Sequence, residues 1–203
     1  MKKFLIILIL IFTLPTPSQA DDIRNFQIEG MSIGDSLLDY FSEKEIKDNS
    51  KTMKLYKPFG TTTFSSSRSA ELKSKLKQYN HMQIEYMIDD KNYIIIGLGA
   101  GIIKDNFEMN NCIKESKKIS NELKKLFGES ARYQYDKMRK ASGDRSGKSI
   151  TDSRFFIFKD GSFTSIRCTD WSKEMKISDR LAIDLVSKKF RKIMDKAHPL
   201  HKE

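Results

Sequence analysis

The stretch RFFIFKDGSFTSIRC, residues 154–168, predicts a β-hairpin and is the best guide to the fold. Two runs rich in aromatic and β-branched residues flank Asp160-Gly161, a pair typical of a two-residue hairpin turn. Such a turn places Phe155 opposite Ile166 and Ile157 opposite Thr164, with Cys168 on the same face. We therefore expect this face to pack against a helix.

The opposite face of the predicted hairpin carries three aromatic rings, Phe156, Phe158 and Phe163. Either another layer of the protein covers these rings, or they stay exposed and form a contact site for a partner. We favour the covered arrangement and keep the three rings as candidate partner aromatics.

Residues 1–20, MKKFLIILILIFTLPTPSQA, have the three regions of a secretory signal peptide. Lys2 and Lys3 precede an apolar run, and Ser18-x-Ala20 supplies the small residues of a cleavage site. The apolar run is shorter than the roughly twenty residues that span a bilayer. We therefore expect residues 21–203 to form one periplasmic or secreted domain with no transmembrane segment. No lipid anchor is expected, because no cysteine lies near the junction.

The clearest predicted helix covers residues 110–127, where an apolar stripe that includes Cys112 ends at Gly128. Packing this stripe on the hairpin brings Cys112 close to Cys168. An even number of cysteines in an exported chain favours a disulfide between them. Two free buried thiols are the alternative. A catalytic thiol is disfavoured, because no histidine stands in a recognisable supporting position.

Other elements follow from shorter patterns. Asp35 or Ser36 can cap a helical turn, and Ser42 with Glu45 forms a capping-box pattern. Strands are predicted at residues 82–88 and 93–103, whereas TTTFSSSRS at 61–69 favours a loop or an edge strand. Residues 180–186 fit a strand or a helical stripe. We choose a strand to Val186, then a helix capped by Ser187.

These elements predict the α+β class. We expect a single domain in which helices pack on an antiparallel sheet of four to five strands, with a flexible loop near residues 137–153.

Two glycine-bearing segments resemble nucleotide-binding motifs, but their spacing is wrong. GDRSGKSI at 143–150 has Ser142 where a phosphate-binding loop has its first glycine, and the residues before it are polar. GLGAG at 97–101 lacks the glycine at position 102 that a dinucleotide fingerprint requires. A mobile loop explains the first segment, and close backbone packing or a bulge explains the second. We expect no nucleotide and no other cofactor.

Positive charge is the main feature of the composition, with a formal net charge of +10 over 203 residues. A lysine-rich solvated surface explains most of it. Basic residues are frequent between 132 and 154, after Tyr133 and Tyr135, and this segment either contacts an anionic surface or is a solvated loop without a partner. The candidate surface contacts are Arg139, Lys140, Arg145 and Lys148. Nucleic acid is not expected as a partner, because neither helix-turn-helix nor zinc-finger spacing occurs.

No catalytic constellation is evident. His198 and His201 could hold a metal weakly, but no third ligand is evident and a frayed terminus is the simpler interpretation. Trp171 is expected to pack in the core or at its rim rather than to contact a partner. We therefore predict a non-enzymatic exported binding or interaction module whose partner is an envelope protein or an anionic surface. An envelope accessory that associates with anionic surfaces ranks second, and a hydrolase with an unrecognised site ranks third.

Four segments resemble an uncharacterised family of small exported proteins from marine alphaproteobacteria. They are IEGMSIGDSLLDYFSEKEI at 28–46, SGKS at 146–149, CTDWSKEM at 168–175 and DRLAIDLVSKKF at 179–190. The resemblance implies export and a shared fold, and nothing about chemistry. GMSIGDSLLDY at 30–40 is also similar to the helix start of periplasmic modules of the outer-membrane-assembly lipoprotein and β-lactamase-inhibitor type.

Overall fold

The structure of the chain is a computed structural model that describes residues 22–52, 60–103, 107–141 and 143–197. The predicted signal peptide and the two terminal histidines, His198 and His201, lie outside the described residues. In the described part of the chain, no helix is long and apolar enough to cross a membrane.

Eight antiparallel strands and four α-helices form the described fold. The strands are β1 Ser50–Lys51, β2 Thr61–Ser65, β3 His81–Met87, β4 Gly97–Ile103, β5 Ala131–Lys140, β6 Ile150–Phe158, β7 Phe163–Asp170 and β8 Arg180–Val186. The helices are α1 Glu43–Asp48, α2 Ala70–Ser74, α3 Met109–Phe127 and α4 Lys188–Ala197. All strands belong to one sheet, in the order β1-β2-β3-β4-β8-β7-β6-β5.

The α+β class and the antiparallel sheet are confirmed, but the prediction of four to five strands is wrong. Sequence analysis missed β1 and β5, and it left 61–69 as a loop or an edge strand where the structure has β2, an inner strand between β1 and β3. The sequence of β5, ARYQYDKMRK, is polar because the strand lies at the edge of the sheet and most of its side chains are at least partly exposed. The predicted loop near 137–153 is also wrong at both ends, since β5 continues to Lys140 and β6 begins at Ile150.

The β6–β7 hairpin exists, but its register differs by one residue from the prediction. Ile157 pairs with Phe163 and Phe155 with Ser165. The loop therefore has more than two residues, and Gly161 adopts a φ of 91°, as in three-residue hairpin loops that place glycine in the left-handed region. A one-residue shift in register turns every side chain of β6 to the opposite face of the sheet from the one predicted.

Phe156 and Phe158 consequently lie in the core beneath α3. The ring of Phe127 in α3 is 5.4 Å from that of Phe156 and 5.0 Å from that of Phe158. Both strand residues are under 5% exposed, so they have the covered arrangement that sequence analysis favoured and are not available as partner aromatics. Phe163 lies on the opposite face of the sheet, where its ring is 6.0 Å from that of Phe155.

The predicted link between helix and hairpin is present, as a disulfide between Cys112 of α3 and Cys168 of β7 with Cα atoms 5.9 Å apart. The register error does not affect Cys168, because its side chain lies on the helix face in either case. Apolar residues of the segment 23–46 join the same core, including Ile23, Leu37 and Ile46.

The terminal helix α4 covers part of the other face of the sheet. Its Phe190 packs with Ile96 and Val186 in a second, smaller apolar cluster. The hydroxyl of Ser187 accepts a hydrogen bond from the backbone N–H of Phe190 at 3.1 Å, which confirms the predicted strand-to-helix change and its cap. The caps at Ser36 and Ser42 are confirmed as well.

Candidate ligand-binding cleft

A cleft of about 390 Å³ lies on the face of the sheet that carries α4. We call it the sheet cleft. Six neighbouring strands, from β3 to β5 in the order of the sheet, contribute to its lining, and Phe190 and Met194 of α4 form one side. The side chains that define its chemistry are Gln83, Glu85, Arg139, Thr151, Ser153, Phe155, Phe163, Ser165, Arg167, Thr169, Trp171 and Asp184.

Glycines of β4 make room for this lining. A Cβ atom on Gly97 would lie 2.6 Å from Cδ1 of Phe190, and one on Gly99 would lie 2.8 Å from Oδ1 of Asp184. Both distances are shorter than van der Waals contact, so larger residues would displace the ring or the carboxylate. This confirms that the GLGAG segment serves close packing.

An ion pair lies near the middle of the sheet cleft. Asp184 accepts hydrogen bonds from Nη2 of Arg167 at 2.8 Å and from Oγ of Ser165 at 2.9 Å. Its carboxylate therefore has a cationic partner and is oriented by two side chains of the neighbouring strand β7.

Glu85 has a different environment. Its side chain is only 8% exposed, and both carboxyl oxygens lie within hydrogen-bond distance of the Thr63 hydroxyl, at 2.8 and 2.9 Å. Burial raises the pKa of Glu85 to about 7, opposed by the hydrogen bond from Thr63. Sequence analysis missed this residue.

Hydroxyl groups and one indole line the end of the sheet cleft away from α4. Oγ1 of Thr151 lies 3.3 Å from Oγ1 of Thr169 and 3.2 Å from the carbonyl oxygen of Cys168, to which it donates. Trp171 packs against Gly143: a Cβ atom placed on Gly143 would lie 3.6 Å from the indole ring. Its Nε1–H is buried and meets no acceptor within the described ranges.

The loop between β5 and β6 is organised by the carboxylate of Asp144. This group accepts from the backbone N–H and hydroxyl of Ser146 at 2.8 Å each, and from those of Ser149 at 2.9 and 2.6 Å. Hydrogen bonds from Ser149, the largest cause, and from Ser146 hold the pKa of Asp144 well below its ordinary value. The donors that a phosphate would need are thus bonded to an acid of the loop itself.

The four predicted surface contacts have different environments. Arg139 of β5 lines the sheet cleft and lies 3.3 Å from Asp136. Lys148 forms an ion pair with Glu174, while Lys140 and Arg145 are exposed. Two of the four charges therefore have acidic partners.

Comparison of the chain with protein-family models, curated proteins and solved structures gives no match. Among the described residues, no group of three or more His, Cys, Asp or Glu side chains is arranged to hold a metal ion.

Proposed function

We propose that this protein is an exported binding module that takes a small polar ligand in the sheet cleft. The observation that carries the proposal is the cleft itself, whose volume of about 390 Å³ lies within the range of small-molecule sites. It combines aromatic side chains with a few oriented polar groups, which is the composition of such sites.

Export to the periplasm or the extracellular space is part of the proposal. The disulfide between Cys112 and Cys168 supports an oxidising compartment, and residues 1–20 have the order of regions found in signal peptides.

A binding role rather than catalysis fits the groups that line the sheet cleft. Asp184 is bound by Arg167, and the hydroxyl that Glu85 contacts belongs to Thr63, which is buried and does not line the cleft. No histidine of the described chain lines the cleft. The arrangement can orient a ligand by hydrogen bonds and charge, and the proposal assigns no reaction to it.

Trp171 provides a direct test, because it is the single tryptophan of the sequence and lines the sheet cleft. Pools of small polar solutes should give a saturable change in its fluorescence. Gln83→Phe, which narrows the cleft from an exposed position of β3, should weaken that binding. Lys117→Phe on the exposed side of α3 is the matched control and should bind as wild type. If every solute binds Gln83→Phe and Lys117→Phe with the same affinity, the proposal is rejected.

A second candidate function is association with an anionic lipid surface, and α4 favours it. Its lysines surround a shallow groove that also contains Met87 and Ile193. They are Lys188, Lys189, Lys192 and Lys196, and none of them pairs with an acid in the described part of the chain. Each lysine near an anionic membrane contributes about 1 kcal/mol at low salt.

Sedimentation with anionic and neutral vesicles tests this second candidate. Changing the four α4 lysines to Glu should abolish binding to anionic vesicles at low salt. Changing Arg139, Lys140, Arg145 and Lys148 to Glu should weaken it less, because acids already pair with two of these residues. No binding by wild type, or equal loss in both variants, would reject α4 as the contact.

A further inference from the structure

The carboxyl group of Glu85 has unused hydrogen-bonding capacity inside the sheet cleft. An ionised carboxylate accepts about four hydrogen bonds, whereas the Thr63 hydroxyl, which lies near both oxygens, supplies one proton. No Lys, Arg or His of the described ranges forms an ion pair with Glu85. Buried carboxylates ordinarily have a cationic partner and hydrogen bonds to most of their lone pairs. Within the described ranges, Glu85 has the single hydroxyl of Thr63 instead.

The surroundings of Glu85 are apolar on the side of α4. Glu85 pairs with Gly97 in the neighbouring strand, so no side chain from that position separates it from Phe190. The aromatic ring of Phe190 lies directly over Gly97, and Val186 and Met194 line the same end of the cleft. Methylene groups of a ligand would meet apolar atoms here, while a cation would meet the carboxylate.

We propose that the sheet cleft binds a ligand with a protonated aliphatic amine, whose ammonium group donates hydrogen bonds to Glu85. An ammonium has three donors and no acceptor, so it complements the oxygens of Glu85 without competing with the hydroxyl of Thr63. The aliphatic chain would lie against Phe190 and extend along the cleft towards Asp184. This inference rests on the proposed role of the sheet cleft as a ligand site.

A metal ion is a less suitable occupant than an amine. Within the described residues no further acid joins Glu85 in a group of three metal-ligating side chains. The neighbouring acid in the cleft, Asp184, already pairs with Arg167.

The test compares n-hexylamine with n-hexanol, which has the same chain and no positive charge. Trp171 fluorescence and calorimetry would follow their binding to the whole protein at about pH 8, where an amine of this kind is protonated. We expect the amine to bind saturably and the alcohol to bind about tenfold more weakly or worse. Glu85→Gln should weaken amine binding by about tenfold or more.

Glu122→Gln on the exposed side of α3 is the matched control and should bind the amine as wild type. Near-ultraviolet circular dichroism and thermal melting would establish that Glu85→Gln is folded. Equal amine binding by Glu85→Gln and wild type, or no amine binding by wild type, would overturn the inference.

The two proposals can fail separately. If neutral or anionic solutes bind in a manner sensitive to Gln83→Phe while hexylamine does not, the ammonium inference fails and the cleft remains a ligand site. If no solute is sensitive to Gln83→Phe, both fail.

Discussion

Glu85 links one residue to the pH dependence of folding. Its pKa is raised from 4.5 to about 7 by burial, so between these values the folded protein binds more protons than the unfolded chain. Stability therefore falls as pH rises from about 4.5 to about 7, in total by about 3 kcal/mol. Glu85→Gln should remove this loss, because Gln is neutral at every pH and can still accept from Thr63.

Urea unfolding of wild type and Glu85→Gln across this pH range is the measurement. The stability gained by the variant should grow with pH and level off above about 7. Glu122→Gln should follow wild type. A constant difference between Glu85→Gln and wild type at all pH values would contradict the prediction.

Arg154 belongs to a buried polar network rather than to the basic surface suggested by the sequence. Its Nη1 donates to Oδ1 of Asp152 and to Oγ of Ser116 in α3, both at 2.6 Å. Tyr135 donates its hydroxyl to the other oxygen of Asp152 at 2.8 Å. Both members of the ion pair are under 5% exposed.

Removing one charge of this pair should destabilise the protein strongly. Arg154→Met leaves the Asp152 carboxylate buried without its cation, at a cost of about 3–5 kcal/mol in the free energy of unfolding. The double variant Asp152→Leu/Arg154→Met removes both charges and should recover a large part of the loss. Chemical denaturation compares the three proteins. A double variant less stable than Arg154→Met would show that the pair is net stabilising and would refute the expectation.

Sequence patterns could not identify Glu85 as a buried charge, for a physical reason. In β3 the alternation of HMQIEYM places Gln83 and Glu85 on one face, which is the pattern of a solvent-facing side of a strand. Glu85 is buried because α4, about a hundred residues later in the chain, packs over Gly97. Burial produced by distant elements is absent from local periodicity.

Among the elements, the hairpin shows what local chemistry determines and what it leaves open. Asp160-Gly161 correctly predicted a turn, since the carboxylate of Asp160 accepts from the Ser162 backbone N–H at 2.9 Å and Gly161 has a positive φ. The same pair is compatible with loops of two or three residues. The choice between them depends on whether Phe155 or Phe156 meets Phe127 of α3, which is a tertiary contact.

Asp144 holds residues 144–149 of the loop between β5 and β6 together through its hydrogen bonds. Asp144→Ala should remove the hydrogen bonds to Ser146 and Ser149 and loosen the backbone, so that trypsin cleaves more readily after the exposed side chains Arg145 and Lys148. We expect faster cleavage at these two sites, followed by mass spectrometry, while global unfolding changes less. Asp89→Ala in the β3–β4 connection is the control.

The pKa of Asp144 gives the sign of a pH effect on this loop. Since the pKa is lowered in the folded protein, the stabilisation is present above the ordinary aspartate pKa and is lost as pH falls through the lower folded value. A protease that is active in acid should therefore cleave the wild-type loop slowly at mildly acidic pH. Equal cleavage of wild type and Asp144→Ala would contradict the role of Asp144.

For the whole molecule, the sequence correctly indicated an antiparallel sheet with α3 on one face, because the helix stripe and the hairpin are long and strongly patterned. The sheet cleft could not be predicted. It depends on the order β3-β4-β8-β7-β6-β5, which brings residues 83 and 184 onto one surface although they are far apart in the chain. Sheet order is set by non-local packing, and the cleft follows from it.

The disulfide joins two layers of the molecule, α3 and the sheet, and its effect should be visible in global stability. Cys112 and Cys168 are separated by 56 residues, and the chain-entropy model gives about 4 kcal/mol for a loop of this length. Cys112→Ala/Cys168→Ala should therefore lower the free energy of unfolding by about 2–5 kcal/mol. Urea titration of the oxidised wild type and the double variant measures the difference.

Reduced wild type is the matched control for that comparison, because it keeps both sulfur atoms and loses the covalent bond. It should unfold close to the double variant if the crosslink, rather than the packing of two sulfur atoms, supplies the stability. Protein taken directly from its native compartment should resist alkylation at both cysteines until a reductant is added. Labelling of both thiols without reductant would show that the layers are held by packing alone, and it would remove the support that the disulfide gives to an exported protein.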